Sequence, residues 1–519
     1  MIRFPGLHGT NSIIADTGMH DKTTAKYPFV KPDPSGSGKW TKKLLDMTKK
    51  MRKRDLSLYL ESKRTRNDHP CPMELAEVEE IKKAFGTTGF AGRIYFQAVD
   101  HFIRSKVEPF QAVLNTWMQG AKARVNARDV PFTELITWCQ ENGDNQARSI
   151  LAKEARSICA FLIPFNYASW KTLLNVLKDD LGYPGYIAFC EEKKNASLAE
   201  ASLYARAFLS ETRETYRDLV EPWLNSVTGL SLKDSSRFDA VYLLGLRYLD
   251  HLFPQRLALE KIINFFQKWK MDLVGNPALH IHSEGIPGGQ SYCISIDIPG
   301  EVHVIVSPLK GWLDMESLFH ELGHALSFIY TDPALTTEEK DFFQSNALSE
   351  TFAFLFQKMC MSGGFLEEIL GLSPKNAQIV SRAHALKWLI LTRRYATKLA
   401  IEVENFRLGY LKNGQGLYSE MMEKETGFNY DPQTYLFDLM PDFYSLDYYQ
   451  AFMGAACLRD YLNDALGEDW ILNPETGNIL CHWWHKGNRL DLSSFLQEFL
   501  DRPLQSGPFI KLNKHDLGT

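Results

Sequence analysis

Apolar residues recur three and four positions apart along most of this chain, and the recurrence breaks clearly in one place. From about residue 40 to 270, segments such as "DHFIRSKVEPFQAVLNTWM" and "LALEKIINFFQKWKMDL" gather their apolar side chains on one helical face. The break falls at 283–308, "SEGIPGGQSYCISIDIPGEVHVIVSP", where Gly, Pro and Gly-Gly open onto two β-rich runs joined by "PGE". Helical patterns resume near 314 and continue to the end. One short antiparallel pair inside so much helix restricts the chain to a mainly α fold with one small β-sheet. The 519 residues are enough for a large core and more than one lobe. "KPDPSGSGK" at 31–39 reads as a linker, which predicts a flexible arm over 1–38, a helical lobe over 39–230 and a second lobe, intertwined with it, over 231–519. No repeat of fixed period is present.

Charge is distributed unevenly. Residues 38–66 carry eleven Lys/Arg against three Asp/Glu, a local +8, although the whole chain is at −5. Leu44, Leu45, Met51 and Leu58 are among the apolar positions in this stretch, so it reads as one solvated amphipathic helix. The acidic remainder argues against nucleic acid as a partner. No apolar run approaches the roughly 18 residues of a membrane span. The first residues lack the basic-then-apolar order of a secretory signal. Eight cysteines are scattered without a CxxC pair, which points to reduced thiols and a cytoplasmic location.

The segment that follows the β pair carries chemistry. In "LFHELGHALSF", 318–328, His320 and His324 stand four apart with Glu321 beside the first. On a helix two such rings share a face, with Cβ atoms about 5–6 Å apart. Their nitrogens can then meet one tetrahedral zinc at about 2.0–2.1 Å. Glu321 projects about 100° from His320 and can take a proton from a water activated at that metal. Asp314 is placed to cap the helix, Leu313 and Leu318 to staple it, and Gly323 leaves room for a substrate or a neighbouring backbone.

A third ligand is expected from a second helix. "DFFQSNALSETFAFLFQKMC", 341–360, is strongly helical, and the loop "TDPALTTEEK" lets it run antiparallel to the first. Glu350 lies in it among Ala347, Leu348, Phe352, Phe354 and Leu355, where an ionised carboxylate needs a partner. Two histidines and a glutamate leave one tetrahedral position open, the mark of a catalytic site. His280 and His282 in "HIH" read as a strand end or loop, and Cys481, His482 and His485 in "CHWWHKG" as a packed helix end. Arg393 and Arg394 could hold a peptide carboxylate or form an ion pair with Glu402 or Glu404.

Over about 235–510 the chain resembles the thimet-oligopeptidase-like zinc metallopeptidases, the group of neurolysin and the bacterial oligoendopeptidases, and within it a bacterial branch. The resemblance rests on "SYCISIDIPGEVHVIVSP", "DMESLFHELGHALSF", "NALSETFAFLFQ", "LTRRYATKLAIEVE" and "FYSLDYYQAFMGAACLRDYLNDALG". It implies a two-lobed helical protein with a deep channel, His320, His324 and Glu350 on one zinc ion, and Glu321 as general base. It also implies a strand near 291–298 that pairs with the peptide backbone. Tyr444 and Tyr448 occupy two of the family's tyrosine positions and would stabilise the transition state. The sequence departs where the family's next tyrosine is Ala451 and its upstream histidine is missing from "DLMPDF".

These readings predict a cytoplasmic zinc oligopeptidase, one Zn²⁺ per chain, whose partners are short peptides and not nucleic acid or membrane. Two alternatives stay open: a zinc carboxypeptidase of related helical fold, and a zinc-binding, peptide-binding protein with weak catalysis.

Overall fold

The structure, a computed structural model, describes residues 34–61, 72–254, 259–282 and 291–518. The expected arm therefore lies outside the described residues up to 33, as do 62–66 of the basic stretch and the 283–290 opening of the β segment.

The fold is mainly α. Helix α1, Pro34–Glu61, takes up the basic stretch. Trp40, Leu44, Met47 and Met51 recur at helical spacing and are buried, while Lys39, Lys42, Lys50 and Lys53 face solvent. Two long helices follow, α2 (Gly89–Gly120) and α3 (Asn145–Asn175), with a hairpin, β1 (Lys122–Val125) and β2 (Arg128–Pro131), between them. The sequence pattern did not announce this hairpin. Its tight turn puts Asn126 and Ala127 at positive φ, a job that Asn-Gly would have advertised. Helix α4, Tyr186–Lys194, completes the elements needed from this half.

The second sheet lies beside the expected zinc-binding helix. It has three strands in the order β3 (Leu279–His282), β5 (Glu301–Ile305), β4 (Tyr292–Asp297). The β4–β5 pair is antiparallel, as the "PGE" turn predicts, and β3 adds to it in parallel. The strand edge thus includes "HIH". Among the described residues β5 is the one strand partner of β4, which so forms an edge of the sheet, and α1 runs beside it from Lys49, 2.9 Å from Asp297, to Tyr59, whose ring lies 4.3 Å from that of Tyr292.

Helix α5, Trp312–Ile329, packs on this sheet and against α6, Ala347–Met359. Gly323 sits at the crossing of the two helices. A Cβ there would come within 2.7 Å of Ala353 Cα and 2.8 Å of the Phe352 carbonyl, so the glycine admits a neighbouring backbone. Two local expectations are corrected. Asp314 does not cap α5: Gly311 is the N-cap, without a side-chain bond, and Asp314 lies in the first turn. There it takes both arms of Arg247 at 2.9 Å and the Lys310 N–H at 2.9 Å. The second helix begins at Ala347, later than 341, because Asn346 stands at its N-cap with its N–H committed to Asp447. Two further helices close the frame, α7 (Pro374–Leu408) and α8 (Tyr444–Leu466). One contiguous apolar cluster runs from Trp40 to Leu512, and a smaller one, with Phe132, Leu151 and Phe437, fills the space under the hairpin.

Candidate metal centre

Helical spacing brings the rings of His320 and His324 to 4.9 Å, nearly perpendicular to each other. Each ring is held at Nδ1, His320 by Gln357 Oε1 at 3.1 Å and His324 by Ser349 Oγ at 2.8 Å. An amide oxygen can only accept, so His320 donates from Nδ1 and keeps Nε2 as the coordinating atom. Both Nε2 atoms face one oxygen: Glu350 Oε2 lies 3.4 Å from His320 and 3.7 Å from His324. One atom from each residue falls within 4.8 Å of the other two.

Glu350 is 3% exposed. Its Oε1 accepts from the Tyr444 hydroxyl at 2.5 Å, while the buried Oε2 has no hydrogen-bond donor. Burial works to raise this carboxyl, but the two rings that face it, His324 foremost, outweigh burial and hold the group well below the usual carboxylate range. An orphaned buried oxygen that converges with two ring nitrogens fits a divalent cation. Imidazole donors suit zinc better than magnesium, which prefers an all-oxygen shell.

Glu321 is buried beside this group, on the side of the sheet. Its Oε2 accepts the Cys293 N–H of edge strand β4 at 2.9 Å. The Cys293 thiol is pushed well above its ordinary pKa by burial and by the Glu321 charge, so it stays protonated. The structure thus brings His320, His324, Glu350, Glu321 and Tyr444 together. Tyr448 lies one turn beyond Tyr444, its ring 4.8 Å away, buried against Tyr395 at 4.7 Å and Phe354 at 5.5 Å. Phe354 in turn touches the His320 ring. Ala451 is fully buried.

Other candidates fall elsewhere. Arg393 and Arg394 are buried but not paired with Glu402 or Glu404. Arg393 holds the Glu425 carbonyl at 2.9 Å and carboxylate at 3.3 Å, and Arg394 pairs with Asp438. His282 Nε2 lies 2.9 Å from His303 Nδ1, and the two rings stack, with His280 against the same His303. His482 packs on Phe499 and His485 lies 3.4 Å from Asp332, as expected for a helix end. Neither Ser349 nor Gln357 stands out by residue type. Gln357 follows Glu350 by seven positions, two helical turns, and that spacing is the signal that marks it.

No protein-family model matches the chain, and no curated protein matches it. Among solved structures, a carboxypeptidase from Pyrococcus furiosus aligns over 92% of this chain and 97% of its own, with a TM-score of 0.56 and 12% identity. This chain shares its fold. The match extends beyond the C-terminal half to nearly the whole chain, including the helices before residue 230, where sequence alone offers only a helical pattern.

Proposed function

We propose that the chain is a zinc-dependent peptidase acting on short peptides. One observation carries the reading: three ligand atoms, His320 Nε2, His324 Nε2 and Glu350 Oε2, converge on a helix that also carries a second buried carboxylate, Glu321, anchored on strand β4. Zinc held by the three would supply a Lewis acid that activates water and polarises a peptide carbonyl. The chain's own residues do the rest. Glu321 accepts the water's proton and returns it to the leaving amine. Strand β4, at the sheet edge among the described residues, offers main-chain groups that align an extended peptide without reading its side chains. Tyr448 donates to the developing oxyanion, and Tyr444 holds Glu350 in place.

A second reading has a specific observation in its favour, because the aligned fold is that of a carboxypeptidase. End-group analysis of digested peptides separates the two: single residues released from the C-terminus identify a carboxypeptidase, internal fragments an oligopeptidase. A cytoplasmic site of action fits the seven described cysteines, all of which are free. No helix among the described residues is long and apolar enough to cross a membrane.

The deciding variant is Glu321→Gln. Its amide cannot accept a proton, so turnover of mixed quenched peptides is expected to fall by about 10²–10⁴ while zinc content, read by elemental analysis, stays at one per chain. Turnover close to wild type with zinc retained would rule Glu321 out as the base.

A further inference from the structure

Helix α4 ends in two adjacent lysines, Lys193 and Lys194, both almost fully buried and both directed at elements of the metal centre. Lys194 Nζ lies 2.9 and 2.8 Å from the two oxygens of Asp447 on α8. The same carboxylate accepts the Ser345 hydroxyl at 2.6 Å and the Asn346 N–H at 3.1 Å. Asn346 is the N-cap of α6, and its carbonyl accepts the N–H of Glu350 at 2.8 Å. Lys194 therefore fixes, through Asp447, the turn of helix that carries the metal-binding carboxylate.

Lys193 acts on the other partner of Glu350. Its Nζ lies 2.6 Å from Asp100 on α2 and 3.0 Å from Asp442. Asp442 and Phe443 both adopt left-handed backbone, φ 57° and 48°, immediately before Tyr444. Two successive non-glycine residues in this region persist only where the surroundings over-determine them. Here Tyr186, also on α4, accepts the Asp442 N–H at 2.6 Å and stacks on Phe443 at 5.4 Å. The turn aims Tyr444 at Glu350 Oε1.

We propose that α4 is the positioning element of the metal centre: Lys194, through Asp447, places Glu350, and Lys193, through the left-handed turn at Asp442, places Tyr444 against it. The proposal rests on the metal-site reading above. Lys193 and Lys194 are positioning residues, remote from any reacting atom. A buried ion pair that merely supported the fold would affect stability and leave metal affinity alone.

The test is the zinc dissociation constant of the full chain, measured by competition with a chromophoric chelator, alongside the melting temperature in excess chelator. Lys194→Met is expected to weaken zinc binding about 10–100-fold, the range seen when an outer-shell partner is lost. Lys193→Met is expected to weaken it by about 10-fold. Arg148→Met, which breaks the buried pair of α3 with Asp239 at 2.8 Å, should lower the melting temperature and leave zinc affinity within about 2-fold. If Lys194→Met does not fold, Ser345→Ala decides the matter, since it keeps both charges and removes one hydrogen bond to Asp447. Unchanged zinc affinity across the lysine and serine variants would overturn the positioning role while the metal site stood. A wild-type chain that binds no zinc would overturn the metal-site reading itself.

Discussion

Two buried acid–histidine clusters lie one turn apart on the same stripe of α5, and they are built on opposite principles. The first joins Glu316 to Lys387 and, at 2.9 Å, to His384. The second joins Glu350 to His320 and His324. A cavity of about 30 Å³ is lined in part by Glu316, Lys387 and Gln357, the residue that holds His320. In the first cluster the acid has its own cation. Burial tends to raise the Glu316 carboxyl, but Lys387 and His384 bring it down to about 2. Burial pushes His384 down to about 4, so at neutral pH the cluster is one acid, one lysine and a neutral ring. In the second, no Lys or Arg among the described residues forms an ion pair with Glu350. Two ring nitrogens and one carboxylate oxygen face each other. The difference teaches how a structural polar cluster differs from a candidate metal site: the first closes its own charge, and the second sets two ring nitrogens against a carboxylate that no lysine or arginine among the described residues pairs with.

The sharpest way to break this contrast is to neutralise each acid in turn. Glu316→Gln leaves Lys387 as an uncompensated buried charge and is expected to cost about 3–5 kcal/mol of stability at pH 8, with zinc affinity retained. Glu350→Gln should do the reverse. It should weaken zinc binding by more than about 10²-fold, beyond the range of an outer-shell partner. The metal-free chain should lose less stability than Glu316→Gln does, since no lysine or arginine is left without its partner. Urea unfolding in excess chelator reads the stabilities. If both variants lose the same stability, the two clusters do not differ in kind.

The second effect concerns acid. The folded-state pKa of His384, about 4, lies below its ordinary 6.5. A histidine depressed in this way stabilises the fold above pH 6.5, and that stability drains away as pH falls toward 4, because the unfolded chain takes up the proton first. The loss from this one group between pH 7 and 4.5 is on the order of 2–3 kcal/mol. His384→Gln should remove that part of the slope. Parallel stability–pH curves for wild type and variant over this window would show that His384 is not buried as a neutral ring. Glu316 works in a lower window, its contribution present above about 4.5 and lost only as pH falls through about 2.

How much of this was legible in the sequence depends on distance along the chain. His320 and His324 come from one helical turn, Glu350 from the next strongly helical segment, and the β4–β5 pair from alternating β-rich runs. Each is a local pattern with a fixed geometric consequence. Asp314 looked like a cap because the rule for caps is also local, and Arg247, 67 residues away, claims both of its oxygens instead. The arginine pair failed for the same reason: Glu402 and Glu404 are near in sequence, but Glu425 and Asp438 are near in space. Lys193 and Lys194 meet Asp442 and Asp447 across about 250 residues, and no spacing rule reaches that far. The parallel seat of β3 on β5 was hidden too, since parallel pairing leaves no turn to read.

The tyrosines sharpen the comparison at its smallest scale. Tyr444 and Tyr448 share one face of α8, yet the structure gives them different neighbours. Tyr444 donates to Glu350, which should orient that carboxylate and strengthen its proposed hold on a cation. Tyr448 lies among Phe354 and Tyr395, one turn further on, and is the phenol proposed to meet an oxyanion. Tyr448→Phe is therefore expected to lower kcat by about 10²-fold with KM and zinc affinity little changed, because the lost bond strengthens only as charge develops. Tyr444→Phe should instead weaken zinc binding by about 10-fold and reduce turnover mainly through zinc occupancy, so that saturating zinc restores most of it. If excess zinc restores Tyr448→Phe and not Tyr444→Phe, the two roles are exchanged. If neither variant departs from wild type, both rings are packing residues and the oxyanion donor lies on another element. The open, cation-seeking cluster at His320, His324 and Glu350 would then stand without its phenol, and its contrast with the closed cluster at Glu316 would rest on charge alone.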